Sequence, residues 1–144
     1  MITIRKSVPS FVKEEIEGSF TKAIEFMKRK YPEVNFDIDF IFSNTLCRSR
    51  YYRNDEKDCK YKTPTAQICT RDLLMLYDMK TLNIIRRQLV VNENIQIESA
   101  IVHELTHHVQ YENKLPIGEL LTTSNELEYL KENYYEVWDY LMVD

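Results

Sequence analysis

The stretch IVHELTHHVQ, residues 101–110, contains every histidine of the chain: His103, His107 and His108. It lies within a run from Asn94 to about Asn113. Ile97, Ile101, Leu105 and the small Ala100 recur there at helical spacing. Such a run folds as one amphipathic helix with an apolar face for the core. On that helix His103 and His107 are four positions apart, about 400° of rotation, so their rings leave one face a turn apart. His108 points about 100° away from His107. It is expected to play a structural or surface role.

Two imidazoles one turn apart can converge on a single ion, and neutral imidazole suits zinc. Glu104, next to His103, is placed to reach a water at the ion rather than the ion itself. This is the H-E-x-x-H arrangement with the glutamate as general base. The extended H-E-x-x-H-x-x-G-x-x-H pattern would need glycine and histidine where the chain has Gln110 and Asn113, so the third ligand is not a histidine. Cys69 is the nearest upstream thiol, as in peptide deformylases, but the glycine-rich motif of those enzymes is absent. The segment SNELEYLKENYYE offers Glu126, Glu128, Glu132 and Glu136. Glu128 is the expected third ligand. It lies 21 residues past His107, enough to traverse a turn and return. Glu132 follows one turn later, where it can accept a hydrogen bond from a ligand imidazole and fix its tautomer. Glu126 is the alternative; Leu130 at the same offset cannot do that job.

With 144 residues the chain is read as one domain, 1–144. Its net charge of −4 implies no broad nucleic-acid surface. No run approaches the ~20 apolar residues of a membrane span. The N-terminal stretch lacks a signal peptide's apolar core, so a cytoplasmic location is expected. Only Gly18 and Gly118 are glycines, which argues against phosphate loops. Cys47, Cys59 and Cys69 lack paired spacing for a second metal, so buried thiols are expected.

Ahead of the histidine helix, MITIR is expected as a short strand. Ser10 is expected to cap a helix in which Phe11, Ile16, Phe20, Ala23, Ile24 and Met27 are apolar, ending at Tyr31 before Pro32. Val34, Phe36, Ile38 and Phe40 alternate with polar residues as a strand with one buried face. Residues 43–63 read as a long loop or irregular hairpin, and TAQICT (65–70) as a strand. Residues 73–76 are ambiguous between strand and helix start, and MKTLNIIRRQL is more helical. KLPIGE breaks the chain after the histidine helix, and Ser124 is expected to cap the last helix. The layout is α+β, with helices packed on a small sheet.

The motif His103-Glu104-Leu105-Thr106-His107, with a glutamate helix 19 to 21 residues later, resembles the gluzincin metallopeptidases, the thermolysin-like branch of the zincins. The Asn125-Glu126 pair resembles the Asn-Glu that opens thermolysin's glutamate segment. Glu126-x-Glu128-Tyr129 resembles the E-x-E-A-Y segment of small bacterial and phage H-E-x-x-H proteins. Leu127 or Tyr129 replaces the small residue usual after the ligand, and the choice of glutamate stays open. The resemblance implies a minimal zincin-like fold: a small twisted mixed sheet, an N-terminal helix, the active-site helix and a C-terminal glutamate helix. It also implies an edge strand that holds an extended peptide, with TAQICT or the 73–77 run as candidates.

The function these features imply is zinc-dependent peptide-bond hydrolysis on a peptide or protein substrate. The ion is held by His103, His107 and Glu128, and Glu104 acts as base. The resemblance also implies an oxyanion-stabilising histidine or tyrosine; no histidine follows Glu128, so a tyrosine serves (Tyr111, Tyr129, Tyr134 or Tyr135) or nothing does. The alternative is a zinc-stabilised regulatory or interaction module with little or no peptidase activity. A latent form, with Asp144 of the tail near the cleft, is a third arrangement.

Overall fold

The structure, a computed structural model, describes residues 1–45, 48–54, 60–71, 74–77, 84–89 and 93–142. Cys47, Cys59 and Asp144 lie outside them. In chain order the elements are β1 (Ile2–Ile4), α1 (Ser10–Lys30), β2 (Asp39–Ser43), β3 (Arg50–Tyr52), β4 (Thr65–Cys69), β5 (Leu74–Tyr77), β6 (Ile84–Leu89), α2 (Glu93–Glu112), α3 (Glu119–Asn133) and α4 (Tyr135–Met142). This is the expected α+β layout, four helices with a small mixed sheet.

The four-stranded sheet has the order β1-β2-β4-β3. β1, β2 and β4 run parallel, with Phe40 opposite Ile2 and Ala66, and β3 closes the sheet antiparallel to β4. Phe36, Ile38, Phe40 and Phe42 are all buried. The period-two alternation thus falls on the expected face, although the strand starts only at Asp39. TAQICT forms β4 as expected, but in the interior of the sheet, so it cannot be the edge that takes a peptide. Its polar face is satisfied locally: Gln67 donates to the Tyr61 hydroxyl at 2.6 Å. β3 falls within 43–63 and pairs antiparallel with β4, beyond that stretch.

The second sheet is the β5–β6 hairpin. Residues 84–89, read as more helical, are a strand, paired through Leu74–Leu89 with irregular register. The adjacent β-branched Ile84 and Ile85 fit a pleated strand better than a helix.

α1 begins with Ser10, and Pro9 is the N-cap without a side-chain bond. Ser10 is therefore not a cap. The buried face is Val12, Ile16, Ser19, Ala23, Phe26 and Met27, while Phe11 is 63% exposed. Phe20 meets Phe40 edge-to-face at 4.8 Å, joining α1 to β2. Lys28, Arg29 and Lys30 occupy the last turn, where the helix dipole favours cations. α2 buries Ile97, Ala100, Ile101 and Leu105 as predicted and packs on α1, α3, β3 and β4. No helix among the described residues is long and apolar enough to cross a membrane.

The turn after α2 sets the geometry of the site. Leu115 N–H bonds to Gln110 O (2.8 Å) and Lys114 N–H to Tyr111 O (3.2 Å), with Lys114 at φ 55. This is a Schellman motif with lysine in the left-handed position usually given to glycine. Pro116 and Gly118 follow, and α3 starts at Glu119 with Gly118 as N-cap. Ser124 is inside the helix. The earlier start has a physical cause: Glu119 brings a carboxylate to the positive end of the helix dipole, and Thr122 Oγ1 bonds back to its carbonyl at 2.8 Å.

The buried face of α1 yields a stability test. Ile16→Ala should cost ~2–5 kcal/mol and Phe11→Ala less than ~0.5 kcal/mol in urea unfolding. Similar losses for the two would contradict this orientation of α1.

Candidate metal centre

His103 and His107 leave α2 one turn apart, with ring centroids 4.9 Å apart and planes at 80°. Each ring has its Nδ1 engaged by an acceptor. His103 Nδ1 lies 3.1 Å from Glu126 Oε2. Glu126, 4% exposed, takes a second bond from Ser99 Oγ at 2.7 Å. His107 Nδ1 lies 2.8 Å from Gln110 Oε1. The Gln110 amide is fixed in that orientation because its Nε2 donates to Gly118 O at 3.1 Å. A neutral imidazole that donates from Nδ1 keeps its lone pair on Nε2. Both rings are therefore set to present Nε2 to a common point.

That point is shared by two carboxylates. Glu119, in the first turn of α3, lies with Oε2 3.2 Å from His103 Nε2 and Oε1 3.5 Å from His107 Nε2. Thr122 Oγ1 lies 3.0 Å from Oε2, its one proton shared between this oxygen and the Glu119 carbonyl. Glu104 is buried, with Oε1 3.9 Å from His103 Nε2. Its Oε2 has no hydrogen-bond partner among the described residues. One ligand atom each from His103, Glu104 and His107 lie within 4.8 Å of one another, a group able to hold a metal ion.

The electrostatics follow from this crowding. Burial, opposed by the two histidines, pushes the Glu104 carboxyl up to about 7. Burial acts against the charged form of His103, but the Glu126 carboxylate and the bonds to Glu119 and Glu126 outweigh it, so its pKa stands well above the usual value. His107 is also raised, its bonds to Glu119 and Gln110 overcoming burial. Glu119 is held far below the usual carboxylate range by hydrogen bonding to His103 and then His107. Two imidazoles and two carboxylates are thus crowded around one point, an arrangement that a cation bound there would relieve. Two nitrogens and nearby carboxylates are also a donor chemistry that fits zinc.

The other sequence candidates fall elsewhere. Glu128, the expected third ligand, is not brought to the histidines. Its side chain is 53% exposed and paired with Lys30 of α1. Glu132, expected to orient an imidazole, pairs with Arg29 at 2.7 Å. The reason is helical phase: α3 turns Glu119, Thr122 and Glu126 toward α2, and Glu128 lies two residues, about 200°, from Glu126. Glu136 is exposed on α4. Glu126 does reach the site, through Nδ1 of His103. Cys69 is a buried thiol in β4 and no member of the ligand group.

His108 has the structural role expected of it. It is 1% exposed, with Nδ1 2.7 Å from the Tyr51 hydroxyl and Nε2 2.8 Å from Asn35 O. It thereby ties α2 to β3 and to the segment after α1, and burial lowers its pKa. Among the candidate tyrosines, Tyr129 and Tyr134 donate to Glu98, and Tyr111 donates to Asn54 at 3.1 Å. Tyr135 is exposed, with its ring against Trp138.

The residues that sequence reasoning missed are Glu119 and Gln110. In the sequence Gln110 stands only at the glycine position of another pattern, and Glu119 ends the helix-breaking KLPIGE. The proline and glycine just before it were the available signal for a helix start. No family model, no curated protein and no solved structure matches the chain.

Replacing His108 by alanine should lower unfolding free energy by ~1–3 kcal/mol, through the buried partners it strands. Zinc affinity should stay at the wild-type value in a chelator-competition titration. A large loss of affinity would place His108 in the metal centre.

Proposed function

We propose that this chain is a zinc-dependent peptide hydrolase of minimal zincin-like architecture, with His103 and His107 holding the ion and Glu104 as general base. One observation carries the reading: both imidazoles have Nδ1 engaged and Nε2 turned to one point, with a buried carboxylate beside it. Bound there, zinc would supply a Lewis acid that acidifies water and polarises a carbonyl group.

The chain's own residues do the rest. Glu126 and Gln110 hold the two imidazoles in the tautomer with a free Nε2. Glu104 Oε2, buried and without a hydrogen-bond partner among the described residues, takes a proton from water. It then passes that proton to the amine that leaves when the peptide bond breaks. Burial of this carboxylate keeps bulk water from competing for it. An extended substrate would lie along β3, the sheet edge beside α2, pairing by strand addition.

A second reading has its own support. The hydroxyls of Tyr111, Tyr129 and Tyr134 are engaged away from the histidines, so none of these three is poised there to stabilise an oxyanion. The same centre would then serve a binding module with slow or no hydrolysis. Turnover of unstructured protein substrates, with and without a chelator, separates the two.

Under the hydrolase reading, Glu104→Gln abolishes cleavage while zinc stays bound at wild-type stoichiometry. Cleavage retained in that variant would eliminate Glu104 as the base.

A further inference from the structure

We infer that Glu119, at the first turn of α3, is the third metal ligand of this centre, and that Glu126 is the positioning residue that orients His103. The inference rests on the proposed metal centre but assigns its composition independently of hydrolysis.

The separations support it. Four donors at ~2.0–2.1 Å in tetrahedral array around zinc stand ~3.3–3.4 Å from one another. The Glu119 oxygens stand 3.2 Å from His103 Nε2 and 3.5 Å from His107 Nε2. Each imidazole Nε2 thus has a Glu119 oxygen at about the spacing of two ligands on one ion, a different oxygen for each ring. Glu126 has a different relation to the rings. Its Oε2 meets His103 at Nδ1, and Oε1 is committed to Ser99. A carboxylate on the nitrogen away from the ion fixes tautomer and ring angle; it does not bind the ion through that contact. Glu128 is engaged with Lys30.

The surroundings of Glu119 suit a ligand. The helix dipole stabilises the carboxylate, and Thr122 Oγ1 lies 3.0 Å from Oε2. Its side chain is 42% exposed, so the ion would be reached from solvent on this side. The backbone that sets Glu119 is tied to His107 through Gln110, which bonds His107 Nδ1 and the Gly118 carbonyl. One glutamine therefore couples the second ligand to the helix start that delivers the third.

The test is zinc titration of the metal-free full chain against a competing chromophoric chelator, with far-UV circular dichroism to verify folding. Glu119→Ala should weaken zinc binding by more than ~100-fold, beyond the ~10–100-fold typical of losing an orienting partner. Glu126→Gln should fall within that ~10–100-fold range, and Glu128→Ala should bind as wild type. Cobalt(II) substitution gives a second readout: its visible spectrum should change in Glu119→Ala and be preserved in Glu128→Ala. Wild-type affinity and spectrum in Glu119→Ala would overturn the assignment while leaving the metal centre standing. A wild-type chain that binds no zinc would overturn both.

Discussion

A buried polar seam joins α2 to α3, and the arrangement of the site depends on it. Asn125 is fully buried and donates to Thr106 Oγ1 at 3.0 Å. Glu126, one residue on, joins Ser99 and His103. Each of these groups would cost ~1–3 kcal/mol if buried without a partner. α3 can therefore dock in only one phase, the one that satisfies them together. That phase sends Glu119 to the histidines and Glu128 outward to Lys30.

α2 serves several neighbours with different faces. Ile97, Ile101 and Leu105 fill the core against α1 and the sheet. Glu98, 1% exposed, accepts from Ser19, Tyr129 and Tyr134, with Lys22 3.8 Å away. A carboxylate buried without such a complement of donors would be costly. It links α1, α2, α3 and the Tyr134 junction before α4. The remaining stripe, Ser99, His103, His107 and Gln110, follows helical spacing and carries the histidines of the group able to hold a metal ion. Placing the histidines on a helix packed from several sides limits their motion, which a metal centre requires.

The part of this arrangement legible in the sequence is the part written within one helix. The 3.6-residue period and the His103–Glu104–His107 spacing are local, and both appear in α2 as expected. The same holds for β1, for the buried parity of Phe36 through Phe42, and for β4 as a strand. What depends on a neighbour was not legible. β4 reads like an edge candidate until its pairing with both β2 and β3 is known. Residues 84–89 have both helical and strand character, and pairing with β5 decides. Ser124 looks like a cap, yet Gly118 begins α3 with no side-chain bond to advertise it. That shift hid Glu119. Glu128 and Glu132 have the spacing of a ligand and its helper, but Lys30 and Arg29 of α1 take them. Only the docked position of α1, distant in sequence, distinguishes that face from the one carrying Glu126.

The central claim is that α2 and the start of α3 form one zinc centre with nitrogen and oxygen donors from His103, His107 and Glu119. X-ray absorption at the zinc edge of the zinc-loaded chain tests it most directly. The account predicts one ion per chain, with two imidazole nitrogens and carboxylate oxygen at ~2.0–2.2 Å and no sulfur. A sulfur shell at ~2.3 Å, or a signal without imidazole scattering, would contradict it.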